Sequence, residues 1–442
     1  MRRIKKQLSS SQIIILGFAA AIILGFLLLM LPISTQDRMG GSFFDALFTA
    51  TSAVCVTGLV VQDTATYWSG FGQLVILALI QIGGMGIVTV AVALATLSGK
   101  KISLKQRSTM QESIAAPKVG GIVRLTGFII QMTIVFELLG AVCLFPVFYR
   151  EFGLWKGIWY SVFHSISAFC NAGFDLMGSD APYSSLTSFI GHPAVNLTVM
   201  ALIVTGGIGF LTWDDIKTNR LRIQRYRMQS KVILVTTALL ILFPALYFFF
   251  FEFSGTALTE RILSSLFQSV TTRTAGFNTA DLTAISETGL AVMILLMLVG
   301  GSPGSTAGGM KTTTFAVMLS TSISVFRRKE STHFFGRRIP DETVRSAATV
   351  MTMYLTMFLV GGCIISRVEG LPLLTCLFET ASAVGTVGLT LGITPSLSLV
   401  SRTILILLMY FGRVGGLTLI FATVSGSQSN SAKLPQEKLT VG

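Results

Sequence analysis

The sequence has 442 residues, of which 52% are hydrophobic and only 12% are charged, and its mean hydropathy is +0.73. Soluble domains carry about 25% charged residues, so this composition excludes an ordinary soluble protein and indicates a polytopic membrane protein. The net charge of +13 does not indicate nucleic-acid binding, because the basic residues lie in short segments between apolar runs. The 5 cysteines form no CxxC pair and the 3 histidines are far apart, so neither a disulfide framework nor a metal site is indicated.

Apolar segments long enough to cross a membrane, which takes about 20 residues, recur along the whole chain. They lie at residues 12–31, 71–97, 122–149, 192–213, 231–251, 288–325, 345–366 and 397–424. The first follows a basic start, Arg2-Arg3-Ile4-Lys5-Lys6. Its apolar core is longer than the roughly 7–15 residues of a signal peptide, so we interpret it as a spanning helix.

A short glycine-containing stretch occurs four times, once between the two apolar segments of each successive pair. The four stretches are Val56-Thr57-Gly58-Leu59, Asn171-Ala172-Gly173-Phe174, Thr274-Ala275-Gly276-Phe277 and Thr386-Val387-Gly388-Leu389. Their glycines are roughly 100–115 residues apart, a spacing longer than that of solenoid repeats. This recurrence predicts a fourfold membrane repeat whose copies are fused in one chain.

Each glycine stretch follows a semi-apolar segment of about 12 residues, such as Ser42–Ala53 or Pro372–Ala383. As a helix, such a segment is about 18 Å long, which is half a bilayer. One interpretation is an interfacial or extracellular helix. The other is a re-entrant pore helix, whose irregular return loop must be buried in protein or line water. The fourfold recurrence favours the pore helix.

Basic residues lie on one side of the eight predicted spans. They precede the first span and follow the second, the fourth (Lys217–Lys231) and the sixth (Arg327–Arg345). The positive-inside bias makes this the cytoplasmic side, so both termini are expected in the cytoplasm and the glycine stretches open from outside. The long basic loops are typical of surfaces near anionic membrane lipid.

Four glycine loops on one side of a membrane favour a cation filter. Rings of backbone carbonyls can replace the water shell of an ion, and glycine allows the dihedral angles that point successive carbonyls at one axis. The preceding half-helix directs the negative end of its dipole at the ion. In the Ktr/Trk/HKT superfamily, which these loops resemble, the matching positions form the filter, which implies as filter residues of this chain Val56, Thr57, Gly58, Asn171, Ala172, Gly173, Thr274, Ala275, Gly276, Thr386, Val387 and Gly388.

These four loops resemble those of the Ktr/Trk/HKT superfamily, and most closely those of the membrane subunit of bacterial Ktr potassium uptake systems. The resemblance covers nearly the whole chain. It implies an all-α polytopic membrane protein of four fused M1–pore loop–M2 repeats, with eight transmembrane helices and four re-entrant loops around a pseudo-fourfold pore. In plant relatives, serine at the first filter glycine accompanies sodium selectivity, so Gly58 favours potassium.

A break is predicted inside the long sixth apolar segment. The stretch Gly300-Gly301-Ser302-Pro303-Gly304-Ser305-Thr306-Ala307-Gly308-Gly309-Met310-Lys311 cannot form a continuous helix, because proline removes a donor and the glycines weaken the remainder. It is not a phosphate loop, since no strand precedes it and the spacing to lysine is wrong. The resemblance implies an intramembrane gate below the filter, comprising Gly300, Gly301, Ser302, Pro303, Gly304, Ser305, Thr306, Ala307, Gly308, Gly309, Lys311 and Arg413.

Three charged residues within the membrane segments are candidates for special roles, because charge is costly there. Arg413 either hydrogen-bonds the broken helix and opposes cations, as the resemblance favours, or extends to the cytoplasmic surface. Arg273 is expected to point away from the pore and to support the third filter loop. Glu137 is expected to be paired within the helix bundle, with a partner that the sequence does not identify.

Paired glycines also recur in the second span of each predicted repeat. They occur in Ile82-Gly83-Gly84-Met85-Gly86, Thr205-Gly206-Gly207-Ile208-Gly209, Val299-Gly300-Gly301 and Arg413-Val414-Gly415-Gly416. Small residues let membrane helices pack closely, and for the first two copies this explanation is sufficient.

The predicted organisation is four repeats at residues 1–110, 111–228, 229–340 and 341–428, followed by a tail at 429–442. The expected function is K⁺ uptake across the bacterial plasma membrane, and a sodium-permeable or sodium-coupled (symport) transporter of the same superfamily is the alternative. A secondary transporter of another solute is less favoured, because such proteins break helices in two related places rather than four. An enzyme is not expected, because the membrane segments carry no recognisable set of nucleophile, base or metal ligands.

The partners expected from the resemblance are a second copy of this chain and a ring of cytosolic regulatory subunits. Regulatory nucleotide is expected on that ring and not on this chain. The loops Lys217–Lys231 and Arg327–Arg345 would contact the ring, and the short tail Leu434–Gly442 would help to join the two protomers.

Overall fold

The computed structural model describes residues 8–98, 102–114, 120–179, 181–416 and 418. The basic start at 2–6 and the tail at 429–442 lie outside the described residues. The described chain is mostly helical. Its strands, β1 (His333–Phe334) and β2 (Arg337–Arg338), form a two-residue antiparallel hairpin within the predicted basic loop.

Within the described residues, the first quarter of the chain contains five α-helices, α1 (Ser10–Leu29), α2 (Phe43–Val54), α3 (Gly70–Met85), α4 (Ile87–Leu97) and α5 (Leu104–Ser113). Two longer apolar helices, α1 and α3, stand on either side of a shorter one, α2. Serine side chains at 9, 42 and 69 accept hydrogen bonds from the first turns of α1, α2 and α3. These caps satisfy backbone donors that would otherwise be unpaired at helix starts.

The second quarter contains a helix of 48 residues, α6 (Ile122–Phe169), followed by α7 (Pro193–Gly207) and α8 (Phe210–Asn219). Gly153 within α6 has φ 78° and ψ −176°, which is not helical. A residue other than glycine rarely adopts this conformation. Gly153 therefore separates the predicted span at 122–149 from the segment that leads to Gly173.

The second half repeats this alternation of longer and shorter helices. Its helices are α9 (Met228–Tyr247), α10 (Leu258–Thr271), α11 (Glu287–Leu298), α12 (Thr312–Phe326), α13 (Asp341–Glu369), α14 (Leu373–Gly385) and α15 (Leu399–Val414). A π-helical turn, Phe248–Glu252, extends α9. Short 3-10 helices lie at Pro32–Ser34, Thr187–Phe189, Ile223–Arg225, Leu282–Ala284 and Thr394–Ser396.

Within the described residues, α1, α6, α13 and α9 with its π-helical extension are long and apolar enough to cross a membrane. The pairs α3–α4 and α7–α8 bring the number of spans to six if each bent pair is one span. The other two predicted spans, at 288–325 and 397–424, correspond to shorter helices. Helix α15 ends at Val414, and most of the chain beyond it lies outside the described residues.

The apolar segments predicted at 71–97 and 192–213 each form a pair of helices, α3–α4 and α7–α8, that is bent by 95°. The bends lie at Gly86 (φ 84°) and Gly209 (φ 90°). In both cases the bend glycine stands three positions after a glycine that packs closely, Gly83 or Gly206. Two glycines three positions apart therefore combine close helix packing at the first with a helix break at the second.

Neighbouring quarters of the chain pack in a closed cycle. Helix α3 packs on α6, α7 on α10, α11 on α14, and α15 returns to α2. The short helices α2, α10 and α14 and the second part of α6 all end at the centre of this cycle. There the side chains of Val56, Asn171, Thr274 and Thr386 are fully buried. The packing cycle brings the four glycine stretches together.

Candidate functional site

The four glycine stretches share one backbone conformation. In each, the filter glycine and the residue two positions before it have positive φ. These angles are 53° and 87° at Val56 and Gly58, 58° and 69° at Asn171 and Gly173, 68° and 78° at Thr274 and Gly276, and 52° and 96° at Thr386 and Gly388. The residue between the two, Thr57, Ala172, Ala275 or Val387, does not have positive φ. The non-glycine residues with positive φ adopt this rare conformation at a cost that the surrounding packing must offset.

The four stretches form a closed ring through their backbones. A Cβ atom built on Gly58 would lie 2.4 Å from the Ala172 carbonyl oxygen, and one on Gly173 would lie 2.7 Å from that of Ala275. A Cβ atom on Gly276 would lie 2.4 Å from the Val387 carbonyl oxygen. One on Gly388 would lie 2.2 Å from the Thr57 carbonyl oxygen, and this contact closes the ring. Each middle-residue carbonyl therefore lies against the glycine of the preceding stretch. Only glycine leaves room for this approach.

Hydroxyl groups of the preceding helices hold the ring in two different ways. In the first and fourth stretches, the glycine N–H donates to a serine, from Gly58 to Ser52 at 3.1 Å and from Gly388 to Ser382 at 3.0 Å. In the second and third, Ser167 and Thr271 donate to the carbonyl oxygens of Phe174 and Phe277, at 2.7 and 2.6 Å respectively. Stretches of the same type are adjacent in the ring. These three serines and the threonine were not predicted from the sequence.

A cavity of about 320 Å³ adjoins the ring. Its lining includes all four filter glycines, Gly58, Gly173, Gly276 and Gly388, together with the carboxyl-bearing residues Asp63 and Asp175. A second cavity of about 440 Å³ is lined by Pro303, Gly304, Lys311 and Arg413, among others. The filter residues and the predicted gate residues therefore face different cavities.

The predicted helix break is present, because α11 ends at Leu298 and α12 begins at Thr312. The segment between them is closed at its neck by a 2.7 Å hydrogen bond from the Gly300 N–H to the Met310 carbonyl oxygen. Backbone hydrogen bonds attach it to neighbouring helices, from Ser302 to Gly207 at 2.9 Å and from Thr306 to Gly206 at 3.2 Å. Irregular backbone in a membrane protein requires such partners.

Thr306 joins this segment directly to the second glycine stretch. Its hydroxyl group lies 2.8 Å from the Asn171 side-chain oxygen and 3.0 Å from the Phe169 carbonyl oxygen. On the opposite side, the Gly309 N–H donates to the Gly412 carbonyl oxygen at 3.1 Å. The segment is thus held by two quarters of the chain other than its own.

Arg413 bridges the broken segment and the end of α3. Its guanidinium group donates to the carbonyl oxygens of Thr306 and Gly83, and also to that of Gly84 at 3.2 Å. The last carbonyls of a helix carry partial negative charge, which favours a cation there. Of the two predicted arrangements, the geometry corresponds to the contact with the broken helix.

Two other cationic side chains also donate to carbonyl oxygens of the segment. Lys311 donates to Ala307 at 2.8 Å, within the segment itself. Arg273, which is 8% exposed, donates to Gly300 at 3.5 Å. Arg273 therefore connects the third glycine stretch to the base of the segment.

Glu137 lies behind the second glycine stretch. Its carboxyl group is hydrogen-bonded by the Gln81 side chain and lies 3.9 Å from the Cys170 sulfur. Cys170 itself packs against Gly84 of α3. The partners that the sequence did not identify are thus an amide from the first quarter and a thiol from the same quarter as Glu137.

Comparison with known proteins shows the family of the chain. Residues 11–433 match the family model TrkH, described as cation transport protein. The chain belongs to this family. It is a multi-pass membrane protein with a mostly helical, polytopic fold.

Two relatives match this chain over nearly their full length. The chain is 41% identical to the Ktr system potassium uptake protein B of Bacillus subtilis, covering 95% of this chain and 94% of the relative. It is 39% identical to the potassium/sodium uptake protein NtpJ of Enterococcus hirae, covering 100% and 99%. The crystal structure of the potassium transporter TrkH from Vibrio parahaemolyticus matches with a TM-score of 0.74 and 19% identity, over 96% of this chain and 86% of that one. The structural match supports the fold.

The ion pair between Arg402 and Asp45 was also not predicted from the sequence. Arg402 of α15 lies 3.2 Å from Asp45 of α2, which also accepts a 3.0 Å hydrogen bond from Gln62. Both charges lie near helix ends, where they resemble ordinary rim residues in the sequence. Their separation of 357 positions leaves no local signal of the contact.

Proposed function

We propose that this member of the TrkH family is the membrane subunit of a K⁺ uptake system in the bacterial plasma membrane. The observation that carries the proposal is the closed ring of glycine stretches, in which four middle-residue carbonyl oxygens meet four glycines. Carbonyl oxygens on one axis replace the water shell of an ion without requiring a charged side chain. The relatives named as potassium uptake proteins support potassium as the ion.

We place the filter at the twelve residues of the four stretches. The proposed architecture is four fused repeats, each with two membrane segments and a re-entrant loop, around a pseudo-fourfold pore. Support comes from the packing cycle of the four quarters and from the half-membrane length of α2 and α14. Helices that end at the ring direct the negative ends of their dipoles toward a bound cation.

We assign the gate to the segment from Gly300 to Lys311, with Arg413 as its latch. In this proposal the segment obstructs the path below the filter, and Arg413 adds positive charge that opposes cations. The support is the set of hydrogen bonds that attach the segment to α7, α15 and the second glycine stretch. In this proposal its glycines allow a second arrangement of similar energy.

The proposed assembly is a homodimer on a ring of cytosolic regulatory subunits that bind nucleotide. Membrane lipid surrounds the dimer, and both termini lie in the cytoplasm. Support comes from the similarity to proteins named as members of Ktr systems and from the basic loops on one predicted side. The hairpin of β1 and β2 gives one of those loops a defined shape for contact.

A second candidate is a sodium-permeable or sodium-coupled transporter. It is favoured by one observation, the 39% identity to a protein named for both potassium and sodium uptake. The distinction depends on whether Na⁺ crosses the filter itself or only stimulates K⁺ uptake.

The deciding experiment is ion uptake by cells that lack their own potassium uptake systems and express this chain. K⁺, Rb⁺ and Na⁺ are supplied separately, and K⁺ uptake is also measured with and without Na⁺. K⁺ uptake above the empty-vector control, with little Na⁺ entry, supports the proposal. Equal Na⁺ and K⁺ entry supports the second candidate, and no K⁺ uptake in correctly inserted protein contradicts both.

A further inference from the structure

A buried carboxyl group lies behind the fourth glycine stretch and has no role in the mechanism proposed so far. Glu379 of α14 stands nine positions before Gly388 and is completely buried. Its Oε1 accepts hydrogen bonds from the hydroxyl groups of Thr390, at 2.7 Å, and Thr394. The backbone of Thr394 also faces the carboxyl group. Both threonines belong to the loop that follows the filter glycine.

The second carboxyl oxygen of this residue has no partner. Oε2 of Glu379 is buried without a hydrogen bond, and no cationic side chain of the described residues pairs with the group. An ionised carboxylate in such a place lacks the compensation that buried charge requires. A neutral carboxyl group fits the site better, because its Oε1 remains an acceptor for the two threonines.

The hydrogen bonds of Glu379 connect the back of the ring to the cavity of about 320 Å³ that adjoins it. Thr390 lines the 320 Å³ cavity together with Gly388 and Gly392. Its hydroxyl group also accepts the Gly392 N–H at 3.0 Å, and the Thr394 hydroxyl group lies 3.0 Å from it. Glu379 thus fixes both threonines of the loop from one point in α14.

The corresponding positions of the other quarters carry different side chains. Nine positions before the other three filter glycines stand Thr49, His164 and Phe267. The Thr49 hydroxyl group has no partner, whereas the His164 ring accepts the Leu176 N–H at 3.3 Å. The fourth stretch is therefore the one in which a carboxyl group at this position holds two side chains of the following loop.

We propose that Glu379 is a positioning residue for the fourth filter loop and that it acts as a neutral hydrogen-bond acceptor, not as a charge. By holding Thr390 and Thr394, it sets the position of the backbone that follows Gly388 and hence the preference of the filter among cations. The inference rests on the proposed function of the ring as a filter. It assigns no contact between Glu379 and the ion.

The test compares uptake of K⁺ and Na⁺ by the full chain in membranes, with the apparent KM for K⁺ and the maximal rate measured separately. Glu379→Gln keeps an acceptor oxygen and is uncharged, so both ions should enter as in the wild type. Glu379→Leu removes the acceptor and should lower K⁺/Na⁺ preference about tenfold, the size expected from one or two hydrogen bonds. Thr49→Val, at the matching position of the first quarter, should leave the preference unchanged.

A second pair of variants keeps the proposal testable if Glu379→Leu fails to insert. Thr394→Val and Thr390→Val each remove one donor and should lower the same preference, and the double variant should approach Glu379→Leu. A Glu379→Gln variant as impaired as Glu379→Leu would overturn the neutral-acceptor assignment. Unchanged preference in the leucine variant or in the double threonine variant would overturn the positioning role. Both outcomes are interpreted only if the wild-type protein prefers K⁺ to Na⁺. A wild-type protein without this preference would instead contradict the proposed function of the ring as a filter.

Discussion

The guanidinium group of Arg413 donates a hydrogen bond to the carbonyl oxygen of Thr306, across 107 positions of sequence. The same guanidinium group reaches the carbonyl oxygens of Gly83 and Gly84 at the end of α3. A planar group with five N–H donors can make these contacts together, whereas an ammonium group presents a single point of charge. Arg413 therefore ties the broken segment to the first quarter of the chain.

Replacing Arg413 by glutamine should increase K⁺ flux, because it removes the charge and loosens the broken segment. An increase of about tenfold corresponds to ~1.4 kcal/mol on the barrier. Arg413→Lys keeps the charge but loses the bridge, so it should give an intermediate flux. Flux is measured by ⁸⁶Rb⁺ uptake into proteoliposomes with matched protein content. Equal flux in all three proteins would contradict the assignment of Arg413 as a latch.

Deleting Ser302–Gly308 should also raise the flux, because the deletion removes the body of the proposed gate. A milder variant, Thr306→Val, removes the hydroxyl group that contacts Asn171 and Phe169 and should raise flux in the same direction. Ser305→Ala is its matched control, since the neighbouring Ser305 hydroxyl group is buried without a partner. Lower or unchanged flux in correctly inserted deletion protein would exclude a gating role.

Gly58→Ser should lower the preference for K⁺ over Na⁺. A Cβ atom there meets the Ala172 carbonyl oxygen at 2.4 Å, and φ of 87° is unfavourable for serine. The ring must therefore open or shift at this point. Gly121→Ser separates the two effects, because Gly121 has φ of 81° but nothing within 4 Å of its Cβ position. Competition between K⁺ and Na⁺ in uptake assays gives the preference, which should change only in the Gly58 variant.

The ion pair between Arg402 and Asp45 should contribute to the stability of the assembled bundle. Removing either partner alone should cost about 2 kcal/mol, somewhat less than the ~3–5 kcal/mol of a fully buried pair, because Arg402 is partly exposed. Replacing both should cost less than the two single changes together. Thermal unfolding of detergent-solubilised variants measures the coupling. The exposed pair of Arg338 and Asp341 is the control and should contribute less than about 1 kcal/mol. If the losses of stability from replacing Arg402 and Asp45 simply add, the contact between them does not contribute to stability.

Local features of this site were predictable from the sequence. The break between Gly300 and Lys311 follows from proline and glycine chemistry, which acts within a few residues. The four glycine stretches were recognisable because each has the same residue classes after a helix of similar length. The candidate role of Arg413 followed from a charge in an apolar segment, since such a charge needs partners wherever the segment packs.

Features that depend on the relative placement of distant quarters were not predictable in this way. The ring contact between Gly388 and Thr57 joins opposite ends of the chain, and no periodicity encodes it. The bends at Gly86 and Gly209 were missed because paired glycines already had a sufficient explanation in close packing. A glycine three positions after a packing glycine was the available signal, and Gly412 with Gly415 (φ 87°) repeats it in the last quarter.

The ring of glycine stretches is built from one polypeptide, and its four parts are held by two types of hydroxyl contact. In an assembly of identical subunits, one codon change alters every side of the axis at once. Here a codon change alters one side and leaves three untouched. Under the proposed function of the ring as a filter, ion preference can therefore be adjusted in small increments during evolution, and the residues behind each side can diverge independently.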